Sequence, residues 1–364
     1  MLSDLTKILD RNYIVGYFLP ALLFITAIFL MILLFFPGPA SQFAVILEQS
    51  TENNSIEANE INSHLTPIEI IKLLKDLWTF SAAIILIFTI SILLMVLNRF
   101  LIRFLEGYGL LQRLKFQKIQ QWKFDRDNRI IEEFNKKYLD EVKTQGRPSQ
   151  ETIDTRSKKQ WLLKLNYPKS RNEILPTAFG NAIRAFEVYS RARYGVDSIP
   201  AWSRIIAVVP DDKKDILNAS KAQVDFAVNI IYLSIFALGG YLCFSYYTGS
   251  LYMILIPIML LIIIWQGYSL AISSAISWGE NVKAIFDLYR LDLLTKMGIE
   301  TPGSSDSERE CWREINQSFL YWDNLDDLKA KRLGKKIKIK KIYKIEHETF
   351  SYVEIEPRFP DFKN

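Results

Sequence analysis

Histidine and cysteine are scarce, with two of each in 364 residues. Cys243 sits in an apolar run and Cys311 in a charged one, so they make a poor disulfide and are too few for a structural zinc site. His64 and His347 stand alone, and neither has a second His, a Cys or paired carboxylates at helical ligand spacing. Catalysis by histidine or by a metal has no residue set to rest on. No catalytic motif places a carboxylate pair either, so the chain is read as non-enzymatic and without a cofactor.

Charge is thin as well: 23% of residues are charged against 49% hydrophobic, and mean hydropathy is +0.07. With 15 Gly and 13 Pro, this composition excludes disorder, collagen and a disulfide scaffold. It is unusually apolar for a soluble protein of 42.4 kDa.

Four stretches lack Asp, Glu, Lys, Arg and His altogether: Tyr13 to Phe36, Trp78 to Leu97, Phe226 to Tyr247 and Leu251 to Ala275. Crossing a hydrocarbon core of about 30 Å takes roughly 20 apolar helical residues, so four transmembrane helices are expected. Lys7 and Arg11 ahead of the first run suggest a signal peptide. The run is too long for one, and Pro37, Gly38 and Pro39 interrupt any small-residue cleavage site, so a retained anchor is expected.

The Pro37–Leu77 connection holds two basic and six acidic residues, whereas Arg99–Val224 holds 25 basic and 15 acidic ones. Cytoplasmic flanks keep Lys and Arg, so the central segment and both termini are expected in the cytoplasm, with the acidic 37–77 loop outside. The tail, Ile276 to Asn364, is neutral, with 16 residues of each sign. The chain's net charge of +5 thus comes from a segment between two spans, where topology and anionic lipid headgroups account for it. No RNP-like strand or recognition-helix motif accompanies it, so nucleic acid is not an expected partner.

The expected fold is mainly α: a polytopic membrane protein with four transmembrane helices, a helical cytoplasmic insertion, and a C-terminal helical segment with a small β-hairpin. Residues 1–98 form a first membrane hairpin, 99–223 the basic insertion, 224–275 a second membrane hairpin and 276–364 the tail. Leu101 to Trp122 reads as a basic amphipathic helix, with Gly107 and Gly109 dividing it from the span. A second helix is expected at Asn128–Val142, and a loop at Thr144–Ser157. The fourth span continues without proline from Pro257 to Pro302, which predicts a stalk of roughly 70 Å capped at Gly298. Ser304–Tyr321 reads as a short helix. Lys335–Ile345 and Phe350–Glu356 alternate as strands of a hairpin, basic opposite acidic, with a polybasic targeting or lipid tract as the alternative.

Three blocks stand out: L-P-T-x-x-G-N-x-x-R-A-x-E at Leu175–Glu187, R-Y-G-x-D at Arg193–Asp197, and F-D-L-Y-R-x-D-L-L at Phe286–Leu294. Together they resemble a family of uncharacterised multi-pass bacterial membrane proteins. The resemblance covers about the second half of the chain and implies a bacterial cytoplasmic (inner) membrane. It implies no activity and no functional residue.

Two residue sets are candidates for function. Gln266, Ser269, Ser273 and Ser277 recur at spacings of three, four and four on the fourth span. Such a stripe lines a pore in an oligomer or forms a small-residue packing seam, with Gly239 and Gly240 as its counterpart. Arg184, Glu187, Arg191, Arg193 and Asp197 form either a cytoplasmic partner or anion site, or a solvated face with a Glu187–Arg191 pair. The expected function is a membrane anchor or scaffold, a homo-oligomer whose cytoplasmic part binds a protein partner. The alternative is an oligomeric channel or membrane-perturbing effector gated through the fourth helix.

Overall fold

The computed structural model describes residues 10–35, 67–248, 254–321, 337–345 and 348–355. The protein is mainly helical, and four of its helices are long and apolar enough to cross a membrane. Most of the 37–77 loop, the end of the first span at Phe36, the start of the fourth at Leu251, His64 and His347 lie outside the described residues.

Helix α1 opens as Arg11–Tyr13, widens into a π-helical turn at Ile14–Phe18 and continues as Leu19–Phe35. Helix α2, Pro67–Leu105, begins at a proline inside the stretch expected to be an external loop and runs unbroken through the second span. Proline suits a first helical turn because its missing N–H is not needed there. Gly107 and Gly109, with φ of 100° and 84°, then stop the helix.

The long central segment continues with α3 (Leu110–Arg113), α4 (Gln117–Gln145), α5 (Gln150–Asn166), α6 (Ala178–Glu187) and α7 (Tyr189–Tyr194). The connection between α4 and α5 is only Gly146 to Ser149, so the expected long loop is mostly helix. A side-chain brace replaces it. Glu141 accepts from the Ser149 backbone N–H at 2.7 Å and from the Thr152 hydroxyl at 2.9 Å, while Ser149 caps α5. Those bonds hold the Glu141 carboxyl below its ordinary pKa, the Ser149 backbone N–H contributing most.

Helix α8, Ser198–Val208, ends because Val209 precedes Pro210 and is held extended. Helix α9, Asp211–Thr248, starts after that proline with two aspartates in its first turn, where the helix dipole favours them. Helix α10, Leu255–Lys296, is a single 42-residue helix. Its end is a Schellman turn: Gly298 has φ 71°, its N–H meets the Thr295 carbonyl at 3.0 Å, and the Ile299 N–H meets the Leu294 carbonyl at 3.0 Å. Helix α11 spans Ser305–Tyr321. Ile337–Ile345 (β1) and Glu348–Ile355 (β2) pair antiparallel, Ile337 opposite Ile355.

The chain divides into two compact units, residues 1–109 with 218–275, and residues 110–217 with 276–364. In the first, small residues let membrane helices close up. A Cβ on Gly267 would meet Ile231 at 3.1 Å, and Ala271, Ser274 and Ala275 continue that buried side of α10. In the second, Phe179, Phe286, Leu294, Ile205 and Trp312 are fully buried, packing α6, α8 and α11 around the distal half of α10.

Candidate functional site

Asp225, one residue ahead of the uncharged third run, is buried at 4% exposure in the membrane unit. Its carboxylate accepts from Tyr17 Oη at 2.9 Å, from Asn98 Nδ2 at 3.1 Å, and from Lys221 Nζ at 3.0 and 2.8 Å. Tyr17 lies on α1, Asn98 on α2, and Lys221 one turn earlier on α9. Asn229, one turn later, donates to the Gly16 carbonyl at 2.8 Å.

Local structure explains why these groups meet. Gly16 sits in the π-helical turn, and a Cβ there would come within 3.3 Å of the Asp225 Cβ, a tight contact that glycine leaves open as α1 approaches α9. Nearby, the Tyr13 and Ser91 hydroxyls share a buried hydrogen bond of 2.6 Å, and Tyr232 donates to the Leu101 carbonyl at 2.9 Å. The start of the first span, the end of the second and the start of the third therefore lie at one level. That is the arrangement alternating passages through a membrane require. Within lipid such paired polar groups are costly to leave unmade, which makes them an anchor for three helices.

Hydropathy places Asp225 at a span entrance and gives it no role. Lys221, Asp225 and Asn229 at successive intervals of four are the signal the sequence does hold, since that spacing puts all three on one helix face.

Gln266, Ser269, Ser273 and Ser277 are all exposed. The face of α10 that packs within the chain carries Gly267, Ala271 and Ser274 instead. Gly239 and Gly240 are exposed with open space where a Cβ would stand, so they are not the counterpart of any seam inside this chain. Ser273 turns its hydroxyl onto the Leu270 carbonyl of its own helix at 3.0 Å.

Two of the five charged residues pair with each other, and the other three find partners outside the set. Arg184 pairs with Glu187 at 3.2 Å, and Arg191 pairs with Glu173. Arg193 donates to Tyr189 Oη at 2.7 Å, and the Asp197 backbone N–H is held by Asn316 Oδ1 at 3.0 Å. The expected Glu187–Arg191 pair does not form because the helix breaks at Val188, between α6 and α7.

The second and third sequence blocks brace each other, while the Thr177 and Asn181 bonds of the first are made within itself. Thr177 caps α6 by accepting from the Gly180 N–H at 2.9 Å. Asn181, fully buried, clasps the Leu175 backbone through both its oxygen (2.6 Å) and its nitrogen (3.1 Å). Tyr189 and Tyr194 donate to Asp287 at 3.0 and 2.7 Å, and Arg290 lies 3.8 Å over the Tyr194 ring while pairing with Glu308 at 2.7 Å. Burial, then the bond to Asp287, pushes the Tyr194 pKa up to about 12. Beside them a cavity of about 240 Å³ is walled by Phe186, Ile199, Trp202, Trp278 and Val282.

Among the described residues no group of three or more His, Cys, Asp or Glu is placed to hold a metal ion. No protein-family model, curated protein or solved structure matches this chain.

Proposed function

We propose that the protein is a non-enzymatic membrane anchor of a bacterial inner membrane, with both termini and the helical unit in the cytoplasm, where that unit binds a protein partner. The observation that carries the reading is α10. One unbroken helix holds the fourth span and, beyond Ala275, the buried residues Phe286 and Leu294 on which the helical unit is assembled. The sequence blocks support it too, since their polar side chains are engaged in building that unit. The basic central segment suits anionic headgroups at the same surface.

A photo-crosslinking residue at Ile199, which is 69% exposed, tests the reading in native membranes with the full chain. A discrete adduct with one other protein is expected, its identity set by mass spectrometry. Adducts with lipid alone would overturn it. Reporter tags near residue 150 and at the carboxyl end are expected to be accessible only from the inner face; labelling from outside intact cells would overturn the orientation.

The channel reading keeps one specific support. Gln266, Ser269, Ser273 and Ser277 are exposed along one face, where a second copy can cover them around a hydrated axis. It predicts ion flux through reconstituted liposomes that changes on replacing Ser269 and Ser273 with Leu. Liposomes as tight as protein-free ones would remove it.

A further inference from the structure

Segment 110–124, which covers α3 and the first turns of α4, carries Arg113, Lys115, Lys118 and Lys123 and neither an aspartate nor a glutamate. All four cations are exposed. The next acids along α4 are already spent, since Asp125 pairs with Arg171 and Asp127 with Arg126, each at 3.0 Å.

The same stretch exposes four large apolar side chains: Leu114 at 58%, Phe116 at 42%, Ile119 at 50% and Trp122 at 57%. The inward side of α4 carries Gln120, Phe124 and Ile131, with Phe124 edge-on to Tyr167 at 5.5 Å between ring centroids. Ile119 and Trp122 fall on the side turned away from those residues, flanked by Lys118 and Lys123.

Apolar side chains gathered on a surface in this way meet either protein or lipid. Charge favours lipid: four cations with no acid among them suit a layer of phosphates better than the mixed charge of a protein surface. Chain length favours it too. Leu110 follows Leu105, the end of the second candidate span, by five residues, which reach at most about 18 Å.

We propose, on the reading of the chain as a membrane anchor, that residues 110–124 dock in the headgroup layer of an anionic leaflet. Leu114, Phe116, Ile119 and Trp122 enter among the acyl chains, and the four cations lie at lipid phosphates. Buried apolar area and attraction to anionic lipid act together in such interfacial segments. Because the other side of α4 is part of the packing of the helical unit, lipid charge bears directly on that unit.

The experiment uses the full chain in nanodiscs of phosphatidylglycerol, one copy per disc, nitroxide-labelled at Ile119→Cys or Trp122→Cys with the exposed Cys243 replaced by Ser. Val96→Cys, at a position 70% exposed on α2, is the reference for lipid, and Glu151→Cys, at an exposed position on α5, the reference for water. Labels at 119 and 122 are expected to be reached by oxygen and shielded from a water-soluble nickel chelate, as at 96 and unlike 151. Nickel reaching 119 and 122 as freely as 151, with 96 still shielded, would overturn the docking and leave the anchor standing. Nickel reaching 96 as well would overturn both. Shielding of 119 and 122 from oxygen and nickel alike would mean that protein covers the face, and would overturn the docking.

Each cation near an anionic surface strengthens attachment about fivefold, so Lys118→Gln with Lys123→Gln is expected to lower the docked-to-free ratio roughly 25-fold. Amide hydrogen exchange of the wild type supplies a measurement that needs no variant. Residues 110–124 are expected to exchange more slowly in phosphatidylglycerol discs than in phosphatidylcholine discs. Equal exchange in the two lipids would overturn the preference for an anionic leaflet.

Discussion

Tyr194 on α7 donates to Asp287 on α10 at 2.7 Å, and Tyr189, from the first turn of α7, donates to the same carboxylate at 3.0 Å. The R-Y-G-x-D and F-D-L-Y-R blocks are therefore two halves of one interlock, closed by Arg290 over the Tyr194 ring. Asp287→Ala strands two hydroxyls at once and is expected to cost about 2–3 kcal/mol, whereas Tyr194→Phe leaves Tyr189 in place and costs about 1 kcal/mol. Thermal melting of the helical signal in detergent measures both. Near-zero values for both would mean that the carboxylate is only solvated surface.

The same contact sets an alkaline limit. Tyr194 has its pKa raised from 10.0 to about 12, first by burial and then by the hydrogen bond to Asp287, with Arg290 pulling the other way. A folded-state pKa above the unfolded one gives stability that is complete below pH 10 and is lost as pH rises from 10 through about 12. The 295 nm absorbance of wild type minus Tyr194→Phe is expected to show a single tyrosine titrating near pH 12. Asp287→Ala should move that step downward.

Two glycines with left-handed backbones separate conformational strain from crowding. Gly146 has φ 72° with open space around it, and Gly195 has φ 83° with the Arg309 carbonyl oxygen 3.1 Å and Cα 3.2 Å from where a Cβ would sit. Gly146→Ala is expected to cost about 1 kcal/mol, the ordinary penalty for this conformation. Gly195→Ala adds the displacement of α11 backbone, for about 2–3 kcal/mol in total. Equal losses in chemical melts of the two variants would show that α11 yields freely.

Hydropathy made the four spans legible because an uncharged apolar run of that length seldom folds as anything except a membrane helix, and Gly298 was legible as a stop because its φ suits a Schellman turn. Contacts between distant positions were not. Asp225 meets Tyr17 and Asn98 across 208 and 127 residues, a relationship no local window contains. Arg191 stands four residues after Glu187, yet the break at Val188 turns it toward Glu173. Periodicity found a small polar stripe on the fourth helix, but the inward side is decided by neighbours. Gly267 meets Ile231, while Ser269 and Ser273 face away.

Gly279 and Phe186 give the sharpest test of how the helical unit is assembled on α10. A Cβ on Gly279 would stand well inside contact distance of Phe186 Cδ1, and Phe186 is itself held edge-on against Trp278 with ring centroids 5.1 Å apart. The phenyl ring must therefore move if Gly279 becomes alanine, and overpacking of this kind costs about 1–3 kcal/mol. Phe186→Leu alone loses ring contacts at a buried site and is expected to cost about 1–2 kcal/mol. Combined, the smaller side chain makes room for the new methyl, so the double variant is expected to be more stable than the sum of the two losses by about 1 kcal/mol. Strict additivity in a double-mutant cycle of melting free energies would mean that the ring does not seat on Gly279, and that α6 is held to α10 by its other contacts.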